Sequence, residues 1–291
     1  MESICHPSTY QNGKDGRSQC ILCPFECSVK NGQNGKCRVR KNVDGHWKLT
    51  NYNHVVSAVV DTIEKRPIYL YKNTKNKKSI TVGLTGCNNT CPFCQNFMVS
   101  QASEFEGSRV LSPKDIVKVA KEKGAEWISF TFTEPIVWYE WYLETAFESR
   151  KSGLKVALKT AGYVNPQFLE SMISVADAIN LDIKPLDSNY LRKCGILKKE
   201  VPFDFLKKAY EMKTHIEISH IVIEGVNDNE GSMKEFCEEV IRKSDKNIGI
   251  HLLRHYPSFK SSYPTTTDET LDKFKEYCLS YGFENIFVND V

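Results

Sequence analysis

No apolar run in this sequence approaches the roughly 18 residues that a membrane-crossing helix needs. The first twenty residues, "MESICHPSTYQNGKDGRSQC", lack the charged-then-apolar layout of a secretory leader. The chain therefore reads as cytoplasmic, with no membrane partner expected. Charge of one sign is scarce too, at net +3 with His neutral. Lys and Arg are spread along helical segments such as "PKDIVKVAKEKG" and do not cluster with aromatics, so nucleic acid is not an expected partner. Internal repeats, low-complexity tracts and long flexible linkers are missing, so solenoid and linker architectures drop out.

What is abundant is cysteine, with eleven in 291 residues. In a reducing compartment, clustered cysteines more often serve metal binding or redox chemistry than disulfides. Cys20, Cys23, Cys27 and Cys37 form one group, and Cys87, Cys91 and Cys94 another; Cys5, Cys194, Cys237 and Cys278 stand alone. Cys237 and Cys278 fall in helical patterns, at positions where a small core residue would serve.

From residue 79 the pattern is regular. Short β-rich runs alternate with longer amphipathic stretches: "SITVGLTG" then "PKDIVKVAKEKG", "AEWISFTFT" then "EPIVWYEWYLETAFESRKSG", "LKVALKT" then "NPQFLESMISVA". The series continues with "AINLDIK" then "VPFDFLKKAYEMK", "HIEISHIVIEG" then "EGSMKEFCEEVIRK", and "IGIHLLRHY" then "DETLDKFKEYCLSYG". Six strand-helix units imply a parallel sheet with crossover helices. Ser112 with Pro113, Asn165 with Pro166, and Asp268 mark helix starts, and Gly124, Gly153 and Gly282 mark helix ends.

An open doubly wound sheet and a barrel share this periodicity. Polar residues inside the runs favour the barrel: Asn180, Asp182 and Lys184 share one face of "NLDIK", as do His215, Glu217 and Ser219 of "HIEISH". A lumen around a polar ligand can hold such groups, whereas a sheet covered on both sides prefers apolar runs; charges at fraying strand ends are the alternative. The expected fold class is α/β, a partial (β/α)6 TIM-like barrel over residues 79–291. Residues 1–78, without helical periodicity, are expected to form a small Cys-rich metal-binding module with antiparallel strands, stapled because so short a segment buries little core. Chemistry belongs at the C-terminal ends of the strands, where the three-cysteine loop "GCNNTCPFCQN" follows the first of them.

Three cysteines suit a cubane iron-sulfur cluster with one iron left open to chelate a substrate. A zinc site completed by a distant Cys or His, or three buried thiols, are the plainer alternatives. The spacing Cys-x3-Cys-x2-Cys, with Phe93 before the last cysteine and Gly86 before the first, resembles the signature of the radical S-adenosylmethionine enzymes. The segments "CILCPFECSVKNGQNGKCRVRKNVDG", "TVGLTGCNNTCPFCQNFMVSQ", "FTFTEPIVWYE", "NLDIKPLDSNYLRKCGI", "HIVIEGVND" and "HLLRHYPSFK" occur in order. Together they resemble the radical member of the AmmeMemoRadiSam group, related to pyruvate formate-lyase activating enzymes, over nearly the whole chain. Two departures stand out. "TFTEP" replaces the usual Tyr-Asn-Glu-Pro, and "FVNDV" is not followed by the cysteine-rich tail of many relatives.

The resemblance implies a 4Fe-4S cluster on Cys87, Cys91 and Cys94, with S-adenosylmethionine as cofactor. It assigns Thr133, Glu134 and Pro135 to the methionyl amino group, with a helix N-terminal residue as the alternative for Glu134. Thr160 and Gly162 of "KTAGY" fall on the ribose side, and Ile223 and Gly225 along the adenine. His220 is a candidate for the methionyl carboxylate or else a satisfied barrel histidine. Asp182, Lys184, Arg254 and His255 are candidates for positioning substrate, with structural ion pairs as the alternative. Cys194 is a candidate hydrogen-atom donor or a buried small residue. Cys20, Cys23, Cys27 and Cys37 supply four thiolates, for either zinc or a second iron-sulfur cluster. The expected activity is hydrogen abstraction from a peptide or protein substrate. The same chemistry on a small metabolite and a non-enzymatic metal scaffold are the alternatives. A flavodoxin- or ferredoxin-type electron donor and a Memo-type partner follow from the resemblance alone.

Overall fold

The computed structural model describes residues 3–13, 16–104 and 106–289. The last two residues of the "FVNDV" ending, and residues 1, 2, 14 and 15 of the amino-terminal stretch, lie outside them. The alternating runs form a sheet whose parallel strands are β2 (Lys78–Leu84), β3 (Trp127–Phe130), β4 (Lys155–Thr160), β5 (Ala178–Ile183), β6 (His215–Val222), β7 (Gly249–Arg254) and β8 (Asn285–Asn289). They lie side by side in chain order, and β1 (His54–Thr62) pairs antiparallel with β2. The short strand Arg109–Val110 closes that edge of the row. The order has two ends, so this is a partial barrel, as expected.

The crossover helices are α1 (Pro113–Glu122), α2 (Tyr139–Lys151), α3 (Leu169–Ser174), α4 (Ser188–Cys194), α5 (Glu200–Glu211), α6 (Glu230–Lys243) and α7 (Asp268–Ser280). In α1, Ile116, Val117 and Ala120 are buried, one stripe at helical spacing, while Ser112 and Asp115 make a reciprocal capping box. Two expected starts differ in detail. Thr267, not Asp268, caps α7. Asn165 spends its side chain on Ile21 O and Glu26 Oε1, tying the barrel to the amino-terminal segment. Cys237 and Cys278 are fully buried, as expected, with their sulfurs 3.7 Å apart between α6 and α7. Strand β8 was not expected. It follows the sixth unit and pairs with β7 through Asn285–Asn289.

The amino-terminal segment holds two three-stranded antiparallel sheets. Its buried Cys5, Leu22, Val39, Trp47 and Leu49 join the same continuous core as the barrel. A buried ion pair fastens it to α2: Arg40 Nη1 and Nη2 donate to Glu140 Oε2 and Oε1 at 2.7 and 2.9 Å. The barrel sheet recruits β1 from this segment, and residues 63–71 close the floor of the barrel. Ile63 and Ile68 pack on Trp127, Ala157 and Ala178 at the N-terminal ends of three strands. Glu217 Oε1 accepts the backbone N–H groups of Tyr69 and Leu70 at 2.8 and 2.9 Å, and Asn180 Nδ2 donates to Pro67 O at 2.8 Å.

The Glu217 carboxylate is fully buried. Burial alone would raise its pKa, but hydrogen bonds from His215 and His251 overcome this and bring it down to about 2. A carboxylate only accepts, so His251 donates from Nε2, and its Nδ1 accepts from Asn289 Nδ2 at 2.7 Å. That makes His251 a neutral ring.

Candidate active site

The loop after β2 is built around its cysteines. Gly86 has φ +86, and a β-carbon there would meet a Val39 methyl at 2.7 Å and Cys37 O at 2.8 Å. Only glycine fits, and the contact sets the three-cysteine loop against the amino-terminal cysteines. Thr90 N–H donates to Cys194 O at 2.8 Å, Asn88 Nδ2 to Tyr163 O at 3.1 Å, and Lys260 N–H to Pro92 O at 2.8 Å. Asn89 N–H points at Cys87 Sγ, 3.3 Å away, and Ser100 Oγ lies 3.3 Å from Cys94 Sγ. Phe93 stacks on Tyr190, ring centroids 5.9 Å apart.

Cys87, Cys91 and Cys94 line a cavity of about 320 Å³ at the C-terminal ends of the strands. Thr133, Glu134, Thr160, Asp182, Lys184 and Arg254 line it too. Glu134 links two loops: Oε1 accepts Thr160 Oγ1–H at 2.6 Å, and Oε2 accepts Ala161 N–H at 2.9 Å. Burial pushes its pKa up, against these donors. It also caps the short helix Pro135–Trp138, the helix N-terminal role weighed from the sequence. Thr133 Oγ1 donates to Leu84 O at 2.6 Å. Asp182 and Lys184 pair at 2.8 Å. Burial would raise the Asp182 pKa, but Lys184 and Lys159 hold it below the usual range. Lys184 rises because Asp182 outweighs its own burial. Arg254 is tied to Thr266 O and to Asp268 at 2.5 Å.

Other candidates are placed elsewhere. His220 faces the helices, not the cavity, because the lumen side of β6 is taken by Glu217, Ser219 and Ile221. Its Nδ1 donates to Ile183 O at 2.8 Å, its Nε2 accepts from Asn227 Nδ2 at 2.9 Å, and its ring stacks on Phe236 at 4.2 Å. It is the satisfied histidine, held neutral as burial lowers its pKa to about 4. Gly162 is a packing glycine, where a β-carbon would meet Leu181 at 2.7 Å. Pro135 is buried at the start of its short helix. Ile223 packs under the cysteine loop with Cys91, and Gly225 lies beyond it in a turn whose N–H donates to Asp228. His255 is buried, with Pro264 O and Ser261 Oγ as partners. Cys194 is fully buried at the end of α4 and does not line the cavity. It packs beside Cys91 under the cysteine loop, and its proximity to that thiol and its burial push the Cys194 pKa up.

The sequence reading missed Lys159, Arg66 and Phe132, all on the cavity wall. Lys159 had a signal, since alternate residues Lys155, Ala157 and Lys159 share one face of β4. Arg66 had none. Phe132 adopts φ +67, a left-handed conformation rare for so bulky a side chain, at the turn between β3 and Glu134.

Cys20, Cys23, Cys27 and Cys37 line a second, much smaller cavity of about 20 Å³, with Asn88 on its wall beside Cys87. Lys36 N–H lies 3.3 Å from Cys27 Sγ. Among the described residues, no three His, Cys, Asp or Glu side chains converge as they would around a single ion. No helix among them is long and apolar enough to cross a membrane.

A sequence model of the Radical SAM superfamily matches residues 81–237, more than half of the chain. The uncharacterized protein MJ0808 of Methanocaldococcus jannaschii is 29% identical over 284 residues, covering 97% of this chain and 84% of that protein. The pyruvate formate-lyase-activating enzyme of Clostridium pasteurianum is 23% identical over 202 residues, covering 65% of this chain and 83% of that enzyme. Among solved structures, a radical SAM methyltransferase from Sphaerobacter thermophilus matches with a TM-score of 0.57 at 16% identity, over 74% of this chain and 67% of that one. Streptococcus suis SuiB bound to its precursor peptide SuiA matches with a TM-score of 0.54 at 15% identity, over 78% and 51%. At such identities the two structures are likenesses of fold.

Proposed function

The chain belongs to the Radical SAM superfamily, whose members use a 4Fe-4S cluster and S-adenosylmethionine, and we propose that this enzyme abstracts a hydrogen atom from a peptide or protein substrate. The observation that carries the reading is the set of three thiols, Cys87, Cys91 and Cys94, at one end of a polar lumen. The donor set suits the cluster: a cubane is several ångströms across, so its thiolates stand around it without meeting at a point. Asn89 N–H and Ser100 Oγ are already placed at two of the sulfurs, as partners that tune such ligands. Held by Cys87, Cys91 and Cys94, the cluster would supply an electron, received from an external donor, for reductive cleavage of S-adenosylmethionine and so for hydrogen-atom abstraction.

The chain's own groups orient the cofactor. Glu134, fixed by Thr160 and Ala161, offers a buried carboxylate to the methionyl ammonium. Thr133 and Thr160 flank it, and Lys184 offers charge to a carboxylate. A peptide substrate is supported by the open side of the partial barrel, and by relatives that include an activating enzyme and a peptide-bound SuiB. A small metabolite is the second reading, favoured by the convergence of Glu134, Asp182 and Lys184 in one cavity.

The AmmeMemoRadiSam assignment is supported by the ordered motifs, as is a Memo-type partner, and a flavodoxin or ferredoxin is the matching electron donor. A division near residue 78 is proposed from the onset of the parallel strands at Lys78, with β1 and the floor segment reaching across it into the barrel. Cys20, Cys23, Cys27 and Cys37 line one small cavity and are proposed as a second metal site, zinc or iron-sulfur, although their side chains do not converge on one point in this structure and would have to close around an ion. The test is anaerobic reconstitution with iron and sulfide, then dithionite and S-adenosylmethionine. Wild type forms 5'-deoxyadenosine and Cys94→Ala does not, while iron and zinc counts on both report what the amino-terminal cysteines hold. Equal formation in the variant contradicts the assignment.

A further inference from the structure

The cavity wall carries five basic side chains, Lys65, Arg66, Lys159, Lys184 and Arg254, against two carboxylates, Asp182 and Glu134. Most of these charges are already balanced. Lys184 pairs with Asp182, Arg254 with Asp268, and both Lys65 and Arg66 with Asp61. Lys159 is different. Its Nζ donates to Asn180 Oδ1 at 2.6 Å and to Ser219 Oγ at 3.3 Å, both neutral, and among the described residues no carboxylate lies within ion-pair distance. Ser219 also donates to Asn180 Oδ1 at 2.8 Å, so the acceptors beneath the amine are shared, and Asp182, already paired with Lys184, acts on it only from a distance.

Arg66 reaches the same cavity from the segment that floors the barrel. Its guanidinium lies 5.6 Å from the centre of the Phe132 ring, and its Nε is buried without an acceptor. An ammonium with no carboxylate at ion-pair distance, on a wall it shares with a guanidinium, leaves positive charge where an anion belongs.

We propose that Lys159 and Arg66 form an anion subsite that seats a carboxylate of the substrate in the lumen. The inference rests on the proposed radical chemistry for what happens there, and narrows its substrate class to molecules with an acidic group. The carboxylate is the side chain of an acidic residue in a peptide or belongs to a small metabolite; the chemistry of recognition is the same. Burial lowers the Lys159 amine to about 8, the direction expected of an ammonium awaiting a counter-charge.

Saturation-transfer NMR on the reconstituted holoprotein tests this with three probes: acetate, a capped glutamate whose only charge is its side chain, and methylammonium. Wild type binds acetate and not methylammonium. Lys159→Met weakens acetate by about tenfold or more, the scale of a charged hydrogen bond, while Lys159→Arg stays within about threefold of wild type. Binding of capped glutamate points to an acidic peptide residue, and its exclusion while acetate binds points to a small carboxylate.

Undiminished acetate binding in a folded Lys159→Met overturns the subsite, as does preference for methylammonium. Displacement of acetate by S-adenosylhomocysteine also overturns it, because the carboxylate received is then the cofactor's. If Lys159→Met does not fold, Lys159→Arg and the anion preference of wild type decide. Formation of 5'-deoxyadenosine on the same samples reports the radical chemistry separately, so either idea can fail without the other.

Discussion

The carbonyl oxygen of Cys37 lies 2.8 Å from where a β-carbon on Gly86 would stand. One backbone contact thus sets the loop of Cys87, Cys91 and Cys94 against the loop that carries Cys37. Gly86 also needs its φ of +86. Gly86→Ala should cost about 1–3 kcal/mol, from strain and from overpacking against Val39. Urea unfolding reads this directly, and iron bound after reconstitution should fall with it. A wild-type midpoint would mean that the two loops are not coupled.

Glu134 accepts from Thr160, Ala161 and Ile136, the last at 3.3 Å. In Glu134→Gln, one carboxylate oxygen becomes an NH2 group facing a donor, so a buried hydrogen bond is lost at a cost of about 1–3 kcal/mol. Thermal unfolding should show the loss, and S-adenosylmethionine affinity should drop as the negative charge disappears. Unchanged affinity, measured by equilibrium dialysis, would remove Glu134 from the cofactor's reach.

His220 gives a pH signature. Its folded pKa falls from 6.5 to about 4, burial being the main cause. The unfolded chain therefore binds the extra proton first, so this stability is complete above pH 6.5 and is lost as pH falls toward 4. By the conversion of 1.36 kcal/mol per unit the loss is on the order of 3 kcal/mol. His220→Phe should flatten the slope of unfolding free energy against pH in that window, while binding S-adenosylmethionine as wild type does. A steep slope retained in the variant would assign the effect to other groups.

Lys159 titrates in the opposite range. Its amine is lowered from 10.5 to about 8 by burial, opposed by Asp182 and assisted by Lys184 and Arg66. Acetate binding should therefore be strong below pH 8 and fade above it. Stability should rise between 8 and 10.5, because there the unfolded chain holds the proton that the folded chain has released. Acetate affinity that is flat from pH 7 to 9.5 would speak against a role for this amine.

Much of this architecture was legible in the sequence, because the strand period of two and the helix stripe are local signals. Asn180, Glu217 and Ser219 announced a polar lumen by sharing faces, and the same period places His220 on the other side of its strand. Residues 1–78 were expected to hold antiparallel strands, but residues 63–71 form none: Ile63 and Ile68 pack instead on Trp127, Ala157 and Ala178, a tertiary contact with no local signal. Strand β8 was hidden because its five residues, bounded by Asn285 and Asn289, are too short a run to show a period. Lys159 was overlooked since its significance lies in what it lacks, a carboxylate partner, and only the packed lumen reveals that.

The most direct test of the central assignment is electron paramagnetic resonance of the anaerobically reconstituted, dithionite-reduced protein, with and without S-adenosylmethionine. Wild type should give a reduced 4Fe-4S signal that shifts when S-adenosylmethionine is added. Each of Cys87→Ala, Cys91→Ala and Cys94→Ala should lose that shifting signal while keeping any metal on Cys20, Cys23, Cys27 and Cys37. A signal that persists in all three variants and ignores S-adenosylmethionine would place the cluster elsewhere and contradict the account.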